Sequence, residues 1–261
     1  MRIARFAVPT GQVMFGVVEG ESPEPDALTV AALTEFPWAS VSYTGDRWAL
    51  PDVRLLAPIF PTKIVGIGKN YAEHAEEMGG QVPDAPLLFL KPPTAVIGPQ
   101  DAIRLPPESS RVEFEGELAV VIGPFGANQV SRENALATVF GYTVGNDVTA
   151  RDLQKADGQW TRAKGYNSFA PIGPWIETTI VPGDLAIRTE LDGEVKQDSR
   201  TSKLIFDVAT LVSYVSHVMT LLPGDIVMTG TPAGVAPMKA GQTVSVTIEG
   251  IGTLTNPVRS R

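Results

Sequence analysis

The sequence predicts an α+β fold that is mostly β. Strand-sized apolar runs outnumber helical patterns along the 261 residues. Those runs do not alternate regularly with helices, which argues against a Rossmann or TIM layout. Asp192-Gly193, set between Ile187 to Leu191 and Glu194-Val195-Lys196, is the strongest hairpin signal in the chain.

Residues 1–57 read as a small N-terminal β-rich domain. Ile3-Ala4-Arg5-Phe6 and Val13-Met14-Phe15-Gly16-Val17-Val18 are strand-like, with Pro9-Thr10-Gly11 between them. Glycine, serine and two prolines make 19–26 a loop. The main domain runs over 58–261. It opens on a short strand, Lys63 to Ile67, followed by a helix from Asn70 as N-cap through Met78. Gly79-Gly80 and Pro83 break that helix on its far side, an arrangement suited to a lid. Leu87-Leu88-Phe89-Leu90-Lys91 is a strand closed by Pro92-Pro93, and an acidic strand spans 112–122.

Ser131 to Phe140 is expected as a capped helix and Gly141 to Val144 as a strand. Ala150 to about Ala156 is a short helix with Thr149 as its cap, and Pro171 to Ile176 is a turn feeding a strand. Val208, Leu211, Val212, Val215, Val218, Met219 and Leu222 recur at helical spacing, so 206–222 is an amphipathic helix. Pro223-Gly224-Asp225 turns into the strand Ile226 to Thr229. Thr243 to Ile248 and Leu254 to Val258 are the last strands.

Composition narrows the chemistry. A hydrophobic fraction of 43% suffices for a core. No apolar run is long enough to span a bilayer, and the opening residues are too short for a signal peptide, so the expected location is the cytoplasm. A net charge of −8 argues against nucleic acid as a partner. The absence of cysteine removes disulfides, thiolate zinc sites and a cysteine nucleophile. With only two histidines, His74 and His217, any metal must be held mostly by oxygen.

Glu113, Glu115 and Glu117 stand at every second position before the apolar run Leu118 to Ile122. In a strand their carboxylates share a face and repel one another, which calls for a cation, and a hard divalent ion is the natural one. The alternatives are a solvated face or pairing with lysine and arginine. Asp147 follows a strand and is a candidate ligand or an ordinary turn residue. His74 and Glu77 lie three apart on one helix face, where a carboxylate would fix the imidazole tautomer and make the other nitrogen a base; a surface pair is the alternative. His217 reads as a helix-flank residue. Lys164 is placed to neutralise an oxyanion or to face solvent. Gly230-Thr231-Pro232-Ala233-Gly234 offers donors for a carboxylate, or is a tight turn. Gly66-Ile67-Gly68-Lys69-Asn70-Tyr71 lacks the third glycine of a dinucleotide loop, and no Gly-x-Ser-x-Gly occurs.

Six blocks in order resemble the fumarylacetoacetate hydrolase superfamily over about 58–261. They are Gly68-Lys69-Asn70-Tyr71-Ala72-Glu73-His74, Phe89-Leu90-Lys91-Pro92, Val112 to Leu118, Asn146-Asp147-Val148-Thr149-Ala150-Arg151-Asp152, Gln159 to Lys164, and Leu222 to Asp225 with Thr229-Gly230-Thr231-Pro232. The resemblance implies a mixed β-sandwich roll, a homodimer, and Mg²⁺ or Mn²⁺ held by Glu115, Glu117 and Asp147 but not Glu113. It implies a His74–Glu77 water-activating dyad on a lid. Lys164, Gln154 and Thr231 match substrate-contacting positions, and Lys69, Tyr71 and Gly230 lie in the same blocks as further substrate contacts. Lys69 stands where many relatives carry arginine, so it offers no bidentate fork.

The implied activity is on 2-oxo acids of the acylpyruvate type: hydrolysis of a C–C bond, or decarboxylation as of oxaloacetate, with a pyruvate enolate forming at the metal. A 2-hydroxyhepta-2,4-diene-1,7-dioate isomerase would use the same site, and a non-catalytic binding module is the rival from another class. The expected partner is a small 2-oxo acid, with neither nucleic acid nor membrane.

Overall fold

The run Leu118 to Ile122 is apolar at every position because its strand is covered on both faces. The computed structural model describes residues 1–21, 25–38 and 40–261. Its first strands are β1 (Arg2–Ala7), β2 (Val13–Glu19), β3 (Thr29–Leu33), β4 (Tyr43–Ala49), β5 (Arg54–Leu56), β6 (Ile64–Gly68) and β7 (Leu87–Lys91). Then come β8 (Val96–Ile97), β9 (Ile103–Leu105), β10 (Val112–Glu113), β11 (Gly116–Ile122), β12 (Val139–Asn146) and β13 (Thr149–Ala150). The remainder are β14 (Ala170–Glu177), β15 (Ala186–Leu191), β16 (Glu194–Arg200), β17 (Ile226–Met228), β18 (Thr243–Ile248) and β19 (Gly252–Ser260). The helices are short: α1 (Ala72–Glu77), α2 (Arg132–Ala135), α3 (Arg151–Asp157), α4 (Thr161–Lys164) and α5 (Val208–Val218). Among the described residues no helix is long and apolar enough to cross a membrane.

The large sheet runs β4-β3-β2-β1-β14-β12-β11-β17-β6-β7, with β5 on β1 and β8 on β14. It is mixed, because β17 and β6 pair in parallel while β11 pairs antiparallel with both β12 and β17. The N-terminal strands join it where Ile3 pairs with Ile176. A second sheet, β16-β15-β18-β19-β9, packs on β11, β12 and β14. The result is the α+β, mostly β, sandwich-like fold that the sequence predicts. On one face of β11, Leu118, Val120 and Ile122 meet Ile187, Val246 and Ile248 of the second sheet and Leu211 and Val215 of α5. On the other, Ala119 and Val121 meet Ile64, Ile226 and Met228. Each fully buried aliphatic side chain there contributes about 1.5–3 kcal/mol. The core thereby fixes the end of β11, where the acidic residues stand.

Several local expectations are corrected. The acidic stretch is not one strand, since it breaks at Phe114-Glu115 between β10 and β11. The helix expected over 131–140 is only α2 and one 3-10 turn, Leu136–Thr138, because apolar Val139 and Phe140 open β12. Asn70 does not cap α1; Tyr71 holds that position. Thr149 lies in β13, and Ala150 precedes α3. The helix over 206–222 narrows to α5, capped by Asp207, which accepts from the Thr210 N–H at 2.8 Å. β3 and β4 have no counterpart in the sequence pattern, since β3 is short and β4 is largely exposed. The loop expected over 19–26 falls in part on 22–24, outside the described residues. The Asp192-Gly193 hairpin is as expected, with both residues at positive φ (52° and 80°), as a primed turn requires.

Candidate active site

The break in the acidic stretch makes the site. Side chains two apart on a straight strand stand about 6.7 Å apart and parallel. Here the ladder β11–β12 ends at Gly116 opposite Asn146, and both strands then turn away to form the separate pair β10–β13. The turn is held by the Asp147 N–H donating to the Glu115 carbonyl at 2.8 Å and the Glu115 N–H donating to Asn146 Oδ1 at 3.0 Å. As a result Glu115, Glu117 and Asp147 each place a carboxylate oxygen within 4.8 Å of the others, all buried. Glu113 departs from the shared face. It is held by Arg111 at 2.5 Å and Arg151 at 2.6 Å and stands outside the cluster.

The charges around the cluster are unevenly matched. Lys164 Nζ donates to Glu115 at 2.8 Å and to Asp147 at 2.5 Å, and Lys91 Nζ donates to Asp147 at 2.5 Å. Arg151 donates to Glu113 and Glu115. Among the described residues Glu117 has no such partner; it accepts the Gly230 N–H at 2.7 Å. Glu113 is matched by Arg111 and Arg151, and Glu115 and Asp147 by Lys91, Lys164 and Arg151, so the shortfall falls on Glu117. Burial, and then the charges of Asp147 and Glu115, push Glu117 well above the usual carboxylate range. Burial also opposes ionisation of Glu115, but Lys164 and Arg151 outweigh it and hold Glu115 below that range. Burial lowers Lys91, and Lys164 adds to that, against the attraction of Asp147. An all-oxygen set in which two like charges crowd a buried carboxylate suits a hard divalent cation.

A cavity of about 190 Å³ opens onto the cluster, with Lys69, His74, Gln154, Lys164 and Thr231 in its wall. His74 is buried and its Nδ1 lies 3.0 Å from Glu77, whose carboxylate is fixed by the Gly234 N–H at 3.1 Å. Gln154 accepts from Arg151 at 2.6 Å, and because arginine only donates, the atom in that bond is Oε1 and the amide nitrogen remains for another acceptor. Thr231 donates to the Gly116 carbonyl at 2.9 Å and accepts from Gln197 at 2.8 Å. The Gly230 N–H does meet a carboxylate, but that of Glu117 rather than one arriving from solution. Tyr71 is buried and is absent from the cavity wall; burial and then the Glu117 charge push its phenol up. His217 is exposed on α5 and meets the Ser213 carbonyl at 2.9 Å.

Sequence reasoning missed Lys91 and Arg151. Lys91 ends an apolar strand, and a charge there needs a partner. Arg151 and Gln154 stand three apart at the start of a helix, a readable pair.

Residues 63–259 match the family described as Fumarylacetoacetate (FAA) hydrolase C-terminal, and residues 1–58 match Rv2993c-like, N-terminal. Protein Rv2993c of Mycobacterium tuberculosis is 54% identical over 261 residues, covering 99% of this chain and 98% of its own. A crystal structure of 2-hydroxyhepta-2,4-diene-1,7-dioate isomerase from Mycobacterium marinum superposes with a TM-score of 0.93 at 54% identity, over 100% of this chain and 99% of that one. Fumarylpyruvate hydrolase from Pseudomonas aeruginosa, solved with Mn²⁺ and pyruvate, superposes with a TM-score of 0.73 at 36% identity, over 78% of this chain and 91% of that one. Fold, motif order and these matches together make the chain a member of the fumarylacetoacetate hydrolase family.

Proposed function

We propose that this protein is an enzyme dependent on Mg²⁺ or Mn²⁺ that acts on 2-oxo acids of the acylpyruvate type, hydrolysing a C–C bond or decarboxylating. One observation carries the reading: a buried carboxylate trio, one member of which has no cation against it among the described residues, shares a cavity with a histidine oriented by a carboxylate. Glu115, Glu117 and Asp147 would hold the cation, and Glu113 would not. When bound, the cation supplies Lewis acidity toward the carboxylate and keto oxygens of a 2-oxo acid. The Mn²⁺ and pyruvate bound by the Pseudomonas hydrolase support that choice.

The protein's own groups supply the rest. Glu77 keeps the His74 proton on Nδ1, so Nε2 is the basic nitrogen and takes a proton from water. The hydroxide formed adds to the distal carbonyl. The C–C bond then breaks, and its electron pair passes to the carbon next to the 2-oxo group, which is protonated as pyruvate leaves. Lys164 offsets the negative charge that builds up, and the Gln154 amide donates to a substrate oxygen. Decarboxylation requires no water and makes less use of His74.

A second reading, isomerisation of a 2-hydroxyhepta-2,4-diene-1,7-dioate, is supported by the M. marinum isomerase, which matches over the whole chain. There His74 would move a proton between carbons without attack by water. Homodimer formation belongs to the same proposal. Leu87 and Leu90 are exposed on β7, an edge strand of the large sheet, and light scattering should give about twice the 27.8 kDa chain mass.

The test is a panel of acylpyruvates, oxaloacetate and the dienedioate, assayed with each metal and with chelator. Conversion that stops with chelator and returns with metal is expected. A protein inert toward the whole panel, with no metal bound, would instead be a non-catalytic module.

A further inference from the structure

We propose that Lys69 and Lys155 form a second anion subsite at the cavity mouth, which selects 2-oxo acids whose far end carries a carboxylate. This rests on the proposed function in one respect, that the 2-oxo end lies at the carboxylate trio.

Two charged ends of the cavity are separated by aromatic surface. Lys164 Nζ lies 4.8 Å from the centre of the Phe89 ring, and Phe89 lies edge-on to Trp160 at 5.3 Å. Trp160 in turn packs against Gly68, where an added Cβ would come within 2.9 Å of the indole. The next residue is Lys69. The path from the buried trio to Lys69 is therefore lined by two aromatic rings. Lys155 is reached along α3: Arg151 is buried against Glu115, Gln154 is half-buried, and Lys155, one residue on, is exposed yet still lines the cavity.

These two lysines differ from the two deeper ones. Lys91 and Lys164 are paired with carboxylates, whereas among the described residues neither Lys69 nor Lys155 has a carboxylate partner. Lys69 also adopts a left-handed backbone, φ 57°, a conformation that costs a non-glycine residue about 1–2 kcal/mol. Its side chain reaches the segment after α1. Its ammonium rests against Gly80, where a Cβ would collide with it. Unpaired ammonium groups in a cavity wall attract an anion. A substrate whose 2-oxo end lies at the trio and whose far end carries a carboxylate brings that second charge to these two lysines. Two separate ammonium groups, unlike an arginine fork, tolerate some variation in where that carboxylate falls.

The experiment compares two 2,4-dioxo acids of similar length, one with a methyl tail and one with a tail ending in carboxylate. The variants are Lys69→Met, Lys155→Met, Lys69→Arg and Gly80→Ala. The ratio of kcat/KM for the carboxylate tail to that for the methyl tail is expected to fall about tenfold with each methionine, the worth of one exposed charged hydrogen bond. Lys69→Arg should keep the ratio, and Gly80→Ala, which shifts the ammonium, should lower it part-way. The parent ratio should also fall as salt rises. Equal losses on both substrates, or an unmoved ratio, would overturn the subsite.

Calorimetry on the Mg²⁺-loaded protein with a saturated dicarboxylate and its monocarboxylate analogue separates this idea from the reaction assignment. If neither dioxo acid turns over but the dicarboxylate binds more tightly, and each methionine removes that advantage, the subsite stands and the reaction assignment fails. No advantage for the dicarboxylate in the parent sinks the subsite, whatever the enzyme catalyses.

Discussion

Asp225 and the trio Glu115, Glu117 and Asp147 are all buried carboxylates, yet their surroundings are opposite. Asp225 Oδ1 accepts from the Thr62 N–H and hydroxyl, at 3.0 and 2.6 Å, and from the Lys63 N–H at 3.0 Å. Its Oδ2 accepts from the Lys63 ammonium and from the Leu222 N–H at 2.8 Å. Burial would raise Asp225, but Lys63 and Thr62 outweigh it and hold the group below its ordinary value. Glu117 has one N–H donor and two like charges for neighbours, and is pushed the other way. A buried carboxylate with every lone pair filled is a fastening: Asp225 ties the turn before β6 to the turn before β17. A buried carboxylate short of donors is a strained position that persists because the strands around it hold it there. Both sit in blocks that carry the family resemblance, so a shared motif does not by itself mark chemistry.

Substitutions of similar kind should therefore behave differently in the two places. The largest effect is expected from Asp147→Ala, which removes a proposed metal ligand and the partner of two lysines. Metal-dependent turnover should fall about a thousandfold or more, the worth of several kcal/mol. Turnover within tenfold of the parent would place the metal elsewhere. Next is His74→Ala, expected to cost roughly 10²–10⁴ in kcat on an acylpyruvate and much less on oxaloacetate. Glu77→Ala should follow with a smaller loss. Equal losses on both substrates would show that His74 does not act on water.

Asp225→Asn should leave the chemistry intact but destabilise the fold by about 2–4 kcal/mol, read as a lower urea midpoint at constant slope. Glu117→Gln, measured without metal, should do the reverse and stabilise by about 1 kcal/mol while abolishing the metal-induced rise in Tm. A Glu117→Gln protein less stable than its parent would mean that the trio is well satisfied without a cation.

The smallest effects, and the sharpest in sign, concern pH. Asp225 is lowered by folding, so its contribution is complete above about pH 4, the unfolded carboxylate value, and drains as pH falls through the folded one. Glu117 is raised, so in metal-free protein it costs stability as pH climbs from the unfolded value near 4.3 toward the folded one. Urea midpoints followed across pH should show both limbs, each flattened by its own amide variant.

Legibility in the sequence follows the same division. Strands β7 and β18 match their sequence patterns residue for residue, because alternation and turn chemistry are local. The same local rule misplaced Glu113, since nothing in 112–122 announces that Asn146 and Asp147 will bond across and break the strand. The carboxylate trio was named through resemblance and not by spacing. The cations that match it come from β7, α3 and α4, far apart in the chain, so the lack of a cation beside Glu117 is visible only after folding. Asn70 was misread for a similar reason: it has the chemistry of a cap and is used elsewhere.

That use has its own consequence. The Asn70 side chain accepts the Phe206 N–H at 2.8 Å and donates to the carbonyls of Phe206 at 3.0 Å and Thr229 at 2.7 Å. It pins the root of α1 to the approach of α5 and the end of β17. His74 lies four residues beyond, a lever of only about 6 Å at helical rise. Beyond the helix, from Gly79 to Pro86, the chain forms no regular element before β7. Such a division of labour separates the part that is pinned from the part that is not. The segment after α1 can shift or be altered while the His74 imidazole keeps its place.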